Sequence, residues 1–315
     1  PTAAYGIVVG ADLRVGRVGL PASLDTSGRV SHVDGLTTIE SGASWTSADA
    51  PISTNAISVF GTGVLDTPDL VLDSSSASWN SASVTFTQTA GMQFTNLRVY
   101  RNTTVGNRGS IPDLAVPGDL TLGSSHYGYL TLGGQTVTVS GNVTVTASFG
   151  AIQMTAADDV LDVMGNFTTY GDTYSVWTGG TLRVAGNLDV ARAGAINAGL
   201  GHTTELYGPT STLRMAAPAS NSTLGALLIT SPNATILQRP TGTGDDVRVA
   251  GTLTLRGTGS SARAQLTVPT GRTLRVIGSI FVQEYGTLAT PGSVFGASCT
   301  RNQTTGQVTG TLSCP

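Results

Sequence analysis

The residues able to carry chemistry are few. Two pairs of adjacent acids occur, Asp158–Asp159 and Asp245–Asp246. A polysaccharide-cleaving site needs converging carboxylates for acid–base work or for calcium. Adjacent residues on a strand point to opposite faces, so neither pair converges well. Each pair also stands in a loop directly before a strand pattern, where Asp is a common turn residue. The three histidines, His32, His126 and His202, lie far apart in Ser/Thr/Gly surroundings. They form neither H-E-x-x-H nor a Cys/His metal spacing, and they read as surface histidines. A phosphate-binding loop, a G-x-S-x-G elbow and the G-G-x-G-x-D calcium repeat are missing. The expectation is a chain with no catalytic residue, no metal and no cofactor.

Three weaker signals concern binding and modification. Tyr127, Tyr129, Tyr170, Tyr174 and Trp177 lie near loops and offer faces on which sugar rings stack, although covering corners or plugging the core is the preferred reading. Six N-x-S/T sequons occur, at Asn102, Asn142, Asn166, Asn221, Asn233 and Asn302. They are candidate glycan acceptors, or a by-product of a chain rich in Asn and Thr. The two cysteines, Cys299 and Cys314, both fall in the last 17 residues. Bonded to each other they close a short loop, stabilise by about 3 kcal/mol and imply an oxidising compartment. The chain begins at Pro1 without a charged and then apolar leader, which fits removal of a secretion signal.

The elements that must position these residues follow from composition. Of 315 residues only 11% are charged, against about 25% in an average domain. Hydrophobic residues make up 39%, aromatics 6%, and 41 residues are Gly. All 16 basic residues are Arg, and the only glutamates are Glu40, Glu205 and Glu284. Helix-rich folds use Lys and Glu heavily, so they are excluded. A net charge of −3 gives no basic field for nucleic acid. No apolar run is long enough for a transmembrane helix. An all-β chain rich in turns remains.

One ten-residue pattern recurs: x-apolar-x-apolar-x-Gly-Asn-apolar-x-apolar. It reads NLRVYRNTTV from Asn96, DLAVPGDLTL from Asp113, TVTVSGNVTV from Thr136, VLDVMGNFTT from Val160 and TLRVAGNLDV from Thr181. DVRVAGTLTL from Asp246 and TLRVIGSIFV from Thr273 continue it, with degraded copies near Thr204 and Ala226. Its internal period is two, a strand pattern. Leu182, Val184, Leu188 and Val190 share one parity and face inward. Gly186 and its counterparts suit a bend with no room for a side chain, or a positive φ. The neighbouring Asn or Asp suits a turn and bonds its own backbone. A shorter signal after the good copies, such as YGYLTL near Gly128, supplies a third strand.

Together these predict an all-β, right-handed parallel β-helix of three-strand coils, about 22 residues each. Inward Leu, Val and Ile stack as ladders in a core too narrow for repeated aromatics. The outward third positions, Arg98, Thr138, Asp162, Arg183, Arg248 and Arg275, are expected in one column on a solvated face. Threonine-rich outer strands raise an ice-binding possibility, but Arg, Asp and Ala break the array. Three regions are expected: irregular coils over 1–95, regular coils over 96–290, and a C-terminal cap over 291–315 closed by the disulfide. Pro51 and the serine-rich stretch 73–83 read as loops, and a separate sandwich is the alternative for 1–95.

Strings such as TVTVSGNVTV, GGTLRVAGNLDV and GTLTLRGTG resemble the repeats of bacterial secreted β-solenoid surface proteins, adhesin-like and autotransporter-passenger-like. The resemblance implies an elongated scaffold, secreted or at the cell surface, used in coats, adhesion or fibres. An autotransporter barrel and an LPxTG sorting motif are not recognisable. The leading expectation is a non-enzymatic structural protein that self-associates head to tail. The segment Tyr5, Ile7, Val8, Val9 is a candidate donor strand. Lysine-dependent covalent polymerisation is excluded by the absence of lysine. A monomeric adhesin that binds a cell surface or glycans is the second expectation, and a polysaccharide-degrading β-helix the third.

Overall fold

Period-two alternation bent at a glycine becomes, in three dimensions, two short strands meeting at a corner. The computed structural model describes residues 7–17, 20, 22–73, 83–107, 109, 112–123, 127–146, 150–170, 175–192, 195–215, 222–238, 247–301 and 305–314. It is an all-β parallel solenoid of about 11 turns of about 23 residues, with no helix among the described residues. One face is a nine-stranded sheet from Leu114–Val116, through Thr136–Val139, Val160–Val163, Thr181–Val184, Thr203–Leu206, Ala226–Ile229, Leu253–Leu255 and Ser279–Val282, to Ser298–Arg301. A second face carries Leu120–Leu122, Val143–Val145, Phe167–Thr169, Leu188–Val190 and Ser211–Met215, within a 19-stranded sheet that also holds Val8–Val9 and Gln307–Ser313. A third face holds Val84–Phe86, Asn102–Val105, Gly128–Thr131, Gly150–Met154 and Val176–Trp177.

Most strands pair in parallel with the coil before and the coil after. Val137 stands opposite Leu161 and Leu161 opposite Leu182. Before residue 96 the same one-coil parallel pairing continues: Ser31–Ile39 pairs with Val8–Val9, with Leu13–Val15 and with Ile52–Val59.

Leu182, Val184, Leu188 and Val190 are all fully buried, as their shared parity predicts. Each such side chain contributes about 1.5–3 kcal/mol relative to exposure. The core is wider than its aliphatic ladders suggest. Trp45, Phe167 and Trp177 are also fully buried, and the Phe167 and Trp177 rings meet edge-on at 5.8 Å. An occasional coil therefore takes a large aromatic where its neighbours leave space.

The sixth-position glycines serve close approach, not positive φ. The N–H of Gly141 donates to Gly118 O at 2.9 Å, Gly165 to Gly141 O at 3.0 Å, and Gly186 to Gly165 O at 2.9 Å. A Cβ on Gly186 would stand 2.5 Å from the Gly165 carbonyl oxygen.

The ten-residue pattern does not mark a single corner. Copies from Asp113, Thr136, Val160 and Thr181 join the first face to the second. The copy from Asn96 joins the second to the third, since Leu97 pairs with Leu120 while Thr103 pairs with Leu130. Copies from Asp246 and Thr273 end on the first face with Leu253–Leu255 and Ser279–Val282. A triangular coil has three corners and any glycine bend obeys the same grammar. The expected single column of outward residues is therefore corrected. Arg98 lies beside Thr121 on the second face, Thr138, Asp162 and Arg183 stack on the first, and Arg248 lies beside Arg275 on a separate strand pair.

Cys299, on Ser298–Arg301, is bonded to Cys314, just beyond Gln307–Ser313, with Cα atoms 6.0 Å apart. The bond ties the last strand of the first face to the last strand of the 19-stranded sheet.

Candidate functional site

The most regular polar feature is a ladder along the corner between the first and second faces. The Asn96 Nδ2 donates to Asp69 Oδ1, and Asn96 Oδ1 accepts the Asp119 N–H at 2.9 Å. Asp119 Oδ1 accepts the Asn142 N–H at 2.7 Å and Nδ2 at 3.2 Å. Asn142 serves Asn166 in the same way, Asn166 Oδ1 accepts the Asn187 N–H, and Asn187 Oδ1 accepts the N–H and Oγ1 of Thr212. These side chains bond the next coil's backbone and not their own, which corrects the turn reading. Without them, corner N–H groups would depend on water.

A charged network occupies the first face. Arg183 lies between Asp162 and Glu205, with both ion pairs at 2.9 Å. The Tyr207 hydroxyl donates to Asp162 Oδ1 at 2.9 Å, and the Arg183 guanidinium stands 4.7 Å above the Tyr207 ring. Burial, then the Asp162 hydrogen bond and charge, push the Tyr207 phenol up to about 12. Burial alone would lower the Arg183 pKa, but the Glu205 hydrogen bond and the two carboxylates overcome it and raise it. Such an arrangement holds three coils together. On the second face a row of in-register threonines, Thr121, Thr144 and Thr168, ends at Arg98 on one side and Asp189 on the other.

Two shallow clefts lie on the C-terminal coils. One, of about 430 Å³, is lined by Arg256, Phe281, Gln283, Glu284 and Thr300. The other, of about 380 Å³, is lined by Arg248, Arg275, Ile277 and Phe295. Arg248 and Arg275 are register partners on adjacent coils, and the Arg275 guanidinium lies 5.3 Å over the Phe295 ring.

The residues singled out in the sequence fall as follows. Asp159 is buried, and its carboxylate accepts backbone N–H groups from Gly134 at 2.6 Å, Thr155 at 2.7 Å and Ala156 at 2.9 Å; Asp158 is exposed. The pair therefore diverges, and Asp159 is committed to a turn. Asp245, Asp246, His126, Tyr174, Tyr5, Asn221 and Asn302 lie outside the described residues. His32, half-buried, bonds Ser53 at 3.0 Å and Asp34 at 2.9 Å.

His202 is no surface residue. It is fully buried with its ring 5.1 Å from that of Trp177, because alternation with Thr204 and Leu206 points it inward. Of the aromatics expected near loops, Trp177 and Tyr129 are buried and Tyr170 is exposed. Tyr127 stacks on Tyr129 at 6.0 Å.

Among the sequons, the Asn142 and Asn166 amides are engaged in the ladder, whereas Asn233 is exposed and Asn102 half-buried. Val8 and Val9 pair with His32 and Val33 of the same chain, and the His32 N–H donates to Ile7 O. The segment is thus an edge strand of the solenoid itself. Among the described residues no group of three or more His, Cys, Asp or Glu gathers as for a metal ion, and no helix is long and apolar enough to cross a membrane.

Sequence reasoning missed the ladder and Glu205. Both are visible as recurrences one coil apart, at Asn96, Asp119, Asn142, Asn166 and Asn187, and at Asp162, Arg183 and Glu205. Comparison with protein-family models, with curated proteins and with solved structures gives no match for the chain.

Proposed function

We propose that the chain is a non-enzymatic extracellular structural protein, a subunit of a surface fibre or coat whose copies join end to end without covalent bonds. The observation that carries this reading is the pair of open edges. Among the described residues, Val8–Val9, Leu13–Val15 and Ser23–Asp25 each have one parallel partner strand, as do Ser298–Arg301 and Gln307–Ser313. Among the described residues one side of each has no partner strand, and such an edge is a template for another strand. Val8 is 60% exposed at the first edge. The disulfide is compatible with an oxidising location. Absence of lysine excludes isopeptide joining through lysine.

The test is electron microscopy and sedimentation of the full chain and of a chain lacking residues 1–10. The full chain is expected to form rods longer than one solenoid, and the shortened chain to remain folded and single. A full chain that stays monomeric at every concentration overturns the reading. Fibres from the shortened chain would show that the Val8–Val9 edge is not the contact.

A second reading, a carbohydrate-binding solenoid, is favoured by the cleft at Phe281. An aromatic face beside Arg256, Gln283, Glu284 and Thr300 offers a stacking surface with hydrogen-bonding groups around it. Tight binding of monomer on a glycan array, lost in Phe281→Ala, would favour it.

A further inference from the structure

The charges of this chain are sorted along its length. Residues 1–73 hold eight acids and three arginines, a net −5; residues 239–315 hold seven arginines and three acids, a net +4; the 165 residues between them carry −2. In most folds such sorting would be scrambled in space. Here most strands pair in parallel with the coil before and the coil after, so chain order is axial order. With about 11 turns at roughly 4.8 Å each, the rod is roughly 50 Å long. One end is acidic and the other basic.

The side chains near the ends carry this difference outward. Asp12, Asp25 and Asp49 are exposed on the first coils. Arg14 is neutralised there by Glu40 at 2.5 Å. Arg256 and Arg275 are exposed on the late coils, where Arg248 and Arg275 stand in register as like-charged neighbours. Like charges directly opposite on paired strands make this stretch of the late coils basic, and an acidic surface is its electrostatic complement.

We infer that this separation fixes the polarity of self-association: the basic C-terminal coils of one copy dock on the acidic N-terminal coils of a second copy of this chain. The inference rests on the end-to-end reading above. Like ends repel, so head-to-head and tail-to-tail contacts are disfavoured. The strands then run in one direction through the junction, as parallel pairing across it requires. Screening acts over about 10 Å at 0.1 M salt, so the contact is salt-sensitive.

The test uses the full chain and two charge-reversed variants, Arg248→Glu/Arg275→Glu and Asp25→Arg/Asp49→Arg, with sedimentation velocity and electron microscopy as readouts. Wild-type association is expected to weaken at least about tenfold between about 0.02 M and about 0.5 M salt. Each variant alone is expected to associate at least about tenfold more weakly than wild type. Their equimolar mixture recovers association, because every junction in an alternating row pairs opposite charges.

Asp25 accepts the Ser27 N–H and Asp49 the Gly28 N–H, so the second variant loses turn contacts. Asp25→Asn/Asp49→Asn keeps an acceptor oxygen at each turn and is expected to weaken association without lowering the melting temperature. Association that ignores salt and both charge sets overturns this inference and leaves the end-to-end reading standing. A wild-type chain that is monomeric under all conditions overturns both.

Discussion

Asn142 and Asn166 stand one coil apart, and the Oδ1 of Asn142 accepts both the backbone N–H of Asn166 at 2.9 Å and its Nδ2 at 3.1 Å. The same two-pronged contact links Asp119 to Asn142. A side chain that bonds the neighbouring coil's main chain and also hands its amide down the row fixes the spacing of coils at a corner where the sheet itself is interrupted.

Asn142→Ala removes an acceptor and a donor at an exposed position where water substitutes in part. A loss of about 1 kcal/mol is expected, read as a fall of about 1–2 °C in melting temperature. Asn142→Asp should cost more, since it sets a carboxylate against Asp119. Asp119→Asn in the same chain should recover that excess, and a double-mutant cycle with no coupling would refute the ladder.

Gly186 and Gly259 separate close approach from mere flexibility. A Cβ on Gly186 meets the Gly165 carbonyl oxygen at 2.5 Å and the Asn166 Oδ1 at 2.7 Å, whereas a Cβ on Gly259 meets nothing within 4 Å. Gly186→Ala is expected to destabilise by about 2–4 kcal/mol through forced separation of coils. Gly259→Ala should stay within about 0.5 kcal/mol of wild type. Equal melting temperatures for the two variants would show that the corner can relax.

The legible part of this fold is what repeats inside one coil. Alternation around Thr181 reveals both strands and all four inward residues, because a two-residue period has a single solution beside a core. The corner to which each copy belongs is not legible, because three corners share one grammar; Asn96 and Asp246 open patterns that look alike and lie on different faces. Contacts between coils are hidden for another reason. Asn187 alone reads as a turn residue, and its partner Thr212 lies 25 residues away, where only the register of pairing identifies it. His202 is hidden because its copy is degraded, yet its parity with Leu206 points it inward.

His202 makes stability depend on pH. A carbonyl oxygen only accepts, so Nδ1 carries the proton that bonds Gly179 O at 2.9 Å, and Nε2 is buried without a partner. Burial holds the imidazole pKa below its ordinary 6.5, against the Gly179 bond and Asp159, which act to raise it. The unfolded chain therefore takes a proton near pH 6.5 while the folded chain waits for a lower pH. Stability is fully present above about pH 6.5 and falls as pH drops from there toward the folded value, by at most about 1.4 kcal/mol per pH unit from this group. Denaturant unfolding of wild type and His202→Leu at two pH values inside that window should show the loss in wild type and a flatter profile in the variant. A variant that loses as much as wild type would place the titration elsewhere.

Tyr207 reports on the charged network without any change in fold. Its phenol is pushed up to about 12, first by burial and then by the Asp162 bond and charge, while Arg183 above the ring works in the opposite direction. Alkaline difference spectra of wild type against Tyr207→Phe should isolate one phenol that ionises well above the ordinary value of 10. Asp162→Asn removes the negative acceptor and should bring that phenol back toward 10. Arg183 is 37% exposed, so each ion pair it makes is worth less than about 1 kcal/mol; the melting temperature of Asp162→Asn should therefore move little while the phenol moves clearly. A phenol that stays near 12 in Asp162→Asn would assign the whole shift to burial and remove Asp162 from the network.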